Sequence, residues 1–320
     1  MNYEEVVRDI KYGRIYSSTL SVYTALEALA KLVRECRSKE ELKKRYIALA
    51  RELVRARPTS AMLSNAIRDL TETLVDALRE RGFKEVDDVV ESKVEELKRG
   101  FEENNRLASQ IASRRLESGD AVLTVSYSKL VLETFKLAAQ EGKALKIYVT
   151  ESRPGSEGFE LAIALVKLGF DVTVLVDSAT RYVMKEIDRV LVGAEAIAAN
   201  GALVNKVGTS LVALAAHEAR VRLFTVAPTH KISPETFLGE IVELAEASPE
   251  SLAKPPAEVR DKVKVWAPLF DVTPPEYVDA IITEKGLVAP QAIPLIAAET
   301  YGWPPSFKTI DETLRELEGV

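Results

Sequence analysis

Ser118-Gly119-Asp120-Ala121-Val122-Leu123-Thr124-Val125-Ser126 is the point at which this chain changes its period. Before it, apolar residues recur every three or four positions; here a Gly-Asp turn signal opens directly onto an unbroken apolar run. Similar runs return at 145–149, 172–176, 189–192 and 221–226, with a shorter one at 280–282. Between them the spacing predicts helices over 130–140, 158–168 and 210–220. Strands that are apolar throughout are buried on both faces, and strands alternating with helices pair in parallel through right-handed crossovers. Residues 118–320 therefore read as a doubly wound α/β domain. The proline-bearing stretch from Pro228 to Pro275 reads as a crossing loop, with one helix expected over 236–245.

Outward toward the N-terminus, Leu20, Tyr23, Leu26, Leu29, Leu32 and Val33 form one apolar stripe, and Leu42, Tyr46, Leu49, Leu53 and Val54 a second. Arg57-Pro58-Thr59-Ser60 interrupts the pattern. Pro58 disfavours helix at Arg57, and Thr59 or Ser60 offers an N-cap for the run over 62–78. Val86, Val90, Val94, Leu97, Phe101, Ala108 and Ile111 mark a longer helix. Residues 1–117 thus predict a helical domain of three to four helices. No internal repeat is visible.

The 320 residues carry 43 basic and 49 acidic side chains, a net charge of −6, which gives no overall electrostatic reason to bind nucleic acid or an anionic membrane. The N-terminus lacks the apolar core of a signal peptide, and no stretch approaches twenty uncharged apolar residues, so the cytoplasm is the expected compartment. A single cysteine, Cys36, and two histidines, His217 and His230, supply no zinc cage. No metal or cofactor site is expected. Abundant Glu, Lys and Arg on helix faces, with few Cys and Met, has the character of a heat-adapted protein.

In an open parallel sheet, ligands collect beyond the carboxyl ends of the strands. Those ends carry Ser126-Tyr127-Ser128-Lys129, Thr150-Glu151-Ser152-Arg153-Pro154-Gly155-Ser156-Glu157-Gly158, Asp177-Ser178-Ala179-Thr180, Gly193-Ala194-Glu195 and Pro228-Thr229-His230-Lys231, and Asn205-Lys206-Val207-Gly208-Thr209 opens a helix. Hydroxyls, amides and the cations Arg153, Lys206 and Lys231 converge on one edge. Such a set suits a small phosphorylated ligand, although each segment taken alone also serves as a turn or cap. Neither Gly-x-x-x-x-Gly-Lys-Ser/Thr nor Gly-x-Gly-x-x-Gly follows the first strand, which removes support for ATP hydrolysis and for a dinucleotide site. His217 reads as a packed helix residue and Cys36 as a small buried apolar one.

The same segments, together with Val176-Asp177-Ser178-Ala179, Leu191-Val192-Gly193-Ala194-Glu195, Asn200-Gly201 and Phe270-Asp271-Val272-Thr273-Pro274-Pro275-Glu276-Tyr277-Val278, resemble the family of initiation factor 2B alpha, beta and delta subunits. That family also holds ribose-1,5-bisphosphate and methylthioribose-1-phosphate isomerases. The resemblance runs over nearly the whole chain, most specifically from Thr150 to Ala280. It implies a helical N-terminal domain, a Rossmann-like C-terminal domain, and homodimers that can build hexamers. It also places Arg57, Arg153, Asn205, Lys206 and Lys231 where the isomerases contact phosphates and hydroxyls, with Ser128 beside them.

Three positions depart from the isomerase pattern. The isomerases use a cysteine just after the first sheet strand and an aspartate in a Gly-Ala-Asp motif as an acid/base pair; these positions hold Ser126 and Glu195. A serine hydroxyl exchanges protons far less readily near neutral pH than a thiol of pKa about 8.5, and glutamate reaches one methylene further. Where the isomerases carry Arg-Gly-Ala-Gly before the first long helix, this chain has Arg14-Ile15-Tyr16-Ser17, with Gly13 before it. These departures favour a noncatalytic homologue of the regulatory subunits, binding the alpha subunit of initiation factor 2 and a sugar phosphate or nucleotide. An aldose-ketose isomerase of the ribose 1,5-bisphosphate type is the alternative, and a metabolite-binding module without a role in translation a third reading. The density of Trp266, Phe270, Tyr277, Ile281, Ile282, Leu295 and Trp303 near the C-terminus points to a two-fold dimer built by the second domain.

Overall fold

The computed structural model describes residues 2–12, 14–15, 17–247, 258–259 and 262–320. Its first half is helical: α1 (Tyr3–Lys11), α2 (Ser18–Glu35), α3 (Lys39–Ala56), α4 (Ala61–Glu80) and α5 (Val86–Ser113). Ser17 and Ser38 start α2 and α3 by accepting the backbone N–H of Leu20 and Glu41, contacts worth about 1 kcal/mol each. The stripes read from the sequence meet in one core, where Leu26, Leu29, Leu42, Leu53, Leu63, Leu70 and Leu74 are fully buried. Each such side chain contributes about 1.5–3 kcal/mol.

The helical layer is larger than the three to four helices expected. α1 joins it through Val6 and Ile10, and the chain's last helix, α11 (Ile310–Gly319), returns to it through Leu314 and Leu317. A capping box, Thr309 with Glu312, starts α11. Sequence periodicity sees a helix but not which layer it joins, because the partner face lies some two hundred residues away along the chain.

The second half alternates β1 (Ala121–Val125), α6 (Lys129–Gln140), β2 (Lys146–Thr150), α7 (Gly158–Lys167), β3 (Asp171–Leu175), the short α8 (Thr180–Val183) and β4 (Arg189–Gly193). After it come β5 (Ala196–Ile197), β6 (Leu203–Lys206), α9 (Thr209–Ala219), β7 (Arg222–Val226), β8 (Phe270–Thr273), β9 (Ala280–Thr283), β10 (Gly286–Val288) and α10 (Ile293–Tyr301). Seven strands form one sheet in the order β10-β9-β7-β4-β1-β2-β3, parallel except for the edge strand β10. One face packs through Leu123, Val190, Val192 and Leu223 against α9 and α10; the other packs through Val122, Ile147, Leu191 and Ile282 against α5, α6 and α7. This is the α/β class expected, a helical N-terminal region followed by a Rossmann-like, mostly parallel sheet.

Two features differ from the sequence reading. A second, antiparallel sheet, β5-β6-β8, stands beside the first, made of strands of two to four residues, too short to show a period. The helix expected over 236–245 does not form: a 3-10 turn, Pro234–Leu238, ends at Gly239 with φ 87°. Beyond that glycine the backbone is drawn out by the Thr59 hydroxyl, which donates to Glu243 O at 3.0 Å and accepts from Ala245 N at 3.2 Å. Thr59, a candidate cap in the sequence, is used instead as a clip between the two halves of the molecule.

Candidate active site

The order β3-β2-β1-β4-β7 reverses direction between β1 and β4, and the crevice outside the carboxyl ends of two such strands is where this sheet type receives ligands. A cavity of about 70 Å³ lies there. Its walls are residues 127–130 after β1, Ala194 and Glu195 after β4, Asn205 on β6, Lys231, Arg57 ahead of α4, and residues 17–19 at the start of α2. A larger depression of about 520 Å³ opens at the opposite, amino end of β2 and beyond Gly169, but no set of hydroxyls and cations converges on it. The hydroxyls, amide and cations gather at the smaller one.

Of the residues singled out from sequence, Arg57, Ser128, Glu195, Asn205 and Lys231 come together in this cavity. Arg57 Nε donates to Glu195 Oε1 at 2.7 Å, with both side chains largely buried. Burial would push the Glu195 carboxyl up, but the Arg57 guanidinium and then the Lys231 ammonium outweigh it and hold Glu195 below the usual carboxylate range. Lys231 Nζ donates to Ala194 O, and burial draws its pKa below the ordinary lysine value against the pull of Glu195. Ser128 caps α6 by accepting from Val131 N at 3.4 Å. Gly193 makes its approach possible: a Cβ there would stand 2.6 Å from Ser128 Oγ. Asn205 Nδ2 donates to Thr209 Oγ1 at 3.0 Å, and Asp271 supports that turn by accepting from Gly208 N at 2.7 Å and Ser210 N at 3.1 Å. Burial raises the Asp271 carboxyl to about 6 despite those two donors.

Three further residues stand elsewhere. Ser126 is buried with φ 59°, a left-handed conformation uncommon outside glycine, and it leads into the cavity wall without lining it. Lys206 turns to Glu157, Nζ to Oε1 at 2.8 Å. Gly155 leaves room for that carboxylate, since a Cβ at Gly155 would lie 2.2 Å from Glu157 Oε1. Arg153 sits on a loop fastened by Asp177, whose carboxylate accepts Ser152 N and Arg153 N at 2.8 Å each. Gly158 has a packing role: a Cβ there would fall 1.9 Å from Thr150 O.

His230 follows β7 but faces the helical layer, edge-on to Phe101 at 4.8 Å between centroids, and neither ring nitrogen has a hydrogen-bond partner among the described residues. Gly13 and Tyr16, named in the sequence for the N-terminal loop, lie outside the described residues. Among the described residues no group of three His, Cys, Asp or Glu side chains could hold a metal ion, and no helix is long and apolar enough to cross a membrane. The sequence reading missed Asn65 and Arg68 of α4, both buried among apolar neighbours. Their only signal was polar residues on the inner face of an otherwise apolar helix.

A doubly wound sheet, a helical layer against its carboxyl edge and a buried carboxylate held by cations at the switch point define a Rossmann-like α/β protein with a polar crevice at the usual ligand position of that fold. The profile of the initiation factor 2 subunit family matches residues 14–290, and the chain belongs to that family. It is 40% identical over 270 residues, 83% of this chain and 84% of the other, to a ribose 1,5-bisphosphate isomerase of Methanocaldococcus jannaschii. It is 32% identical, over 89% of this chain and 96% of the other, to a putative translation initiation factor eIF-2B subunit 2-like protein of Pyrococcus horikoshii. A crystal structure of a translation initiation factor eIF-2B from Pyrococcus horikoshii superposes with a TM-score of 0.79 at 31% identity, covering 91% of this chain and 98% of that one.

These relationships correct the functional expectation. Six relatives at 32–40% identity over most of the chain are named ribose 1,5-bisphosphate isomerase, an enzyme, and this overturns the noncatalytic regulatory reading with the alpha subunit of initiation factor 2 as its partner. Ser126 and Glu195 had been weighed as losses of catalytic groups. Glu195, however, keeps an ionised carboxylate at the switch point, which residue identity alone did not reveal.

Proposed function

We propose that this protein is an aldose-ketose isomerase acting on a pentose 1,5-bisphosphate, with ribose 1,5-bisphosphate as the substrate suggested by the names of its relatives. The observation that carries the reading is Glu195: an ionised carboxylate, screened from water and flanked by Arg57 and Lys231, at the crevice where β1 and β4 diverge. C1 of ribose 1,5-bisphosphate is a phosphorylated hemiacetal, so isomerisation breaks the bond between C1 and the ring oxygen, which takes up a proton. The C2 hydrogen transfers with its electron pair to C1, and the C2 carbonyl forms as, one proton taken up for one released, the C2 hydroxyl gives up its proton. Glu195 accepts that proton, and a buried carboxylate already freed of its own proton does so without reorganising solvent. Arg57 and Lys231 attract the anionic substrate, and Asn205 presents an amide to a sugar hydroxyl. The amino end of α2 adds backbone N–H groups and a favourable dipole for phosphate. Ser126 stands where the isomerases carry a thiol, and its role here is to shape the turn that leads into the cavity.

Phosphorus and proton NMR on ribose 1,5-bisphosphate test the reading. Conversion to ribulose 1,5-bisphosphate by the wild-type protein is expected, falling about a hundredfold or more in Glu195→Gln, the range for a lost general base. Absence of conversion by the wild type, or equal rates in the two proteins, overturns it.

A further inference from the structure

α4 supports the site from the helical layer without lining the cavity itself. Arg57 stands just before its first turn, and farther along, Asn65 meets the segment that carries Lys231. Asn65 is 5% exposed, and its Nδ2 donates to His230 O at 3.1 Å and to Ile232 O at 2.9 Å, the two carbonyls on either side of Lys231. The orientation of that amide is dictated by chemistry. Arg68 Nη2 lies 2.5 Å from Asn65 Oδ1, and a guanidinium can only donate, so the oxygen must face Arg68 and the NH2 group must face the carbonyls. Arg68 is itself 2% exposed, bonded through Nη1 to Glu235 at 2.7 Å and stacked 5.5 Å from the Phe307 ring. From the other side, Ser233 N donates at 2.9 Å to the carbonyl of Ile197, which ends β5, the strand that follows Glu195.

We infer that Asn65, locked by Arg68, is a positioning residue that holds Lys231 in the candidate active site. The inference rests on the proposed function in one respect, that Lys231 serves an anionic ligand there. The two cations of the site are thereby set from one stretch of chain: Arg57 in the turn that leads from α3 into α4, and Lys231 through the amide of Asn65 on α4. The apolar residues around Asn65 could have closed this contact without polar groups, and a buried amide with all its bonds satisfied selects one backbone geometry where apolar packing permits several. The carbonyls of residues 230 and 232 would otherwise lack these donors inside the protein, and the turn would be free to rotate Lys231 away from Ala194.

The test measures Lys231 directly, on the intact chain. Lysine amines are pulse-labelled at neutral pH with an N-hydroxysuccinimide ester and quantified by peptide mass spectrometry, with Lys206, also buried, as internal reference. Asn65→Asp, whose carboxylate cannot donate to either carbonyl, is expected to raise Lys231 labelling at least tenfold relative to Lys206. Thr71→Val, a buried change on the same helix that breaks bonds to Tyr46 and Ile67 only, controls for lost stability and is expected to leave the ratio unchanged. Unchanged labelling in Asn65→Asp, or an equal rise in Thr71→Val, overturns the inference. Should Asn65→Asp fail to fold, Arg68→Gln is read in the same way: a rise in Lys231 labelling supports the lock and none refutes it. A second readout separates this inference from the proposed function. If the wild type isomerises ribose 1,5-bisphosphate, Asn65→Asp is expected to raise KM about tenfold with kcat changed less than threefold, and the reverse split refutes a positioning role through Lys231. If the wild type shows no turnover, the proposed function fails while the labelling ratio still decides the placement of Lys231.

Discussion

Arg57 and Glu195 lie 138 positions apart in the chain and 2.7 Å apart in the fold, and their contact ties the helical layer to the carboxyl edge of the sheet. Breaking a buried pair by removing one partner leaves the other charge unpaired, at a cost of about 3–5 kcal/mol. Arg57→Ala should therefore cost about 3 kcal/mol, the lower end because Lys231 remains near Glu195, and Glu195→Gln in the same chain should restore part of it. Because the folded-state pKa of Glu195 is lowered, its stabilisation is present above the unfolded carboxylate range and is lost as pH falls through the folded value. Urea titrations of the two single variants and the double variant check the coupling; additive losses would show that the pair contributes nothing.

Lys206 is buried and committed to the half-buried Glu157, so its removal should be felt first in stability. Lys206→Met is expected to cost about 1–3 kcal/mol, the penalty for a buried acceptor left without its charged donor. The double variant with Glu157→Gln should recover most of it. Thermal unfolding of the three proteins measures this, and a Lys206→Met variant as stable as the wild type would contradict the geometry.

Burial, and secondarily Lys231, lowers the His230 imidazole to about 3. A base whose folded pKa is depressed supplies stability that is complete above its unfolded pKa, about 6.5, and is lost as pH falls from there toward 3. The wild type should thus lose up to about 1.4 kcal/mol per pH unit more than His230→Phe across that window. The phenylalanine fits beside Phe101 and leaves no ring nitrogen without a partner, so at pH 7.5 the variant should be at least as stable as the wild type. Denaturant midpoints of both proteins at pH 7.5, 6 and 5 decide; parallel curves would contradict the buried neutral imidazole.

Helix α7 carries Phe159, Ile163 and Val166 outward, spaced as one stripe and each at least half exposed, and Leu295 and Trp303 are also exposed near the C-terminus. Their neighbours Ile281, Ile282 and Ile293 are buried and complete the core, so the C-terminal apolar density is divided between core and surface. A two-fold dimer through the α/β half is expected to cover such residues. Light scattering at micromolar concentration should give the mass of two chains or a multiple of two, and a one-chain mass would exclude this association.

Much of this molecule is determined by sequence alone, because its signals are local. The apolar runs after Asp120, the stripes of α2 to α4 and the breaks at Pro58 and Gly82 set element type within a few residues, and element type restricts the sheet to a parallel, doubly wound one. Chemistry at strand ends followed from that restriction, which is why Ser128, Glu195, Asn205 and Lys231 could be grouped before their contacts were visible; Arg57 joined them only through the family resemblance. Tertiary structure alone decided what those groups meet. Glu195 is a paired carboxylate because the turn between α3 and α4 brings Arg57 to it; Lys206 is diverted because the loop after β2 delivers Glu157; His230 is turned into the helical layer beside Phe101. Asn65 and Arg68 looked like interruptions in an apolar helix and are its reason for holding Lys231. Hydrogen bonds and ion pairs act over about 3 Å between groups as far apart in the chain as 49 positions for Lys206 and Glu157 and 138 for Arg57 and Glu195, and no periodicity records that distance.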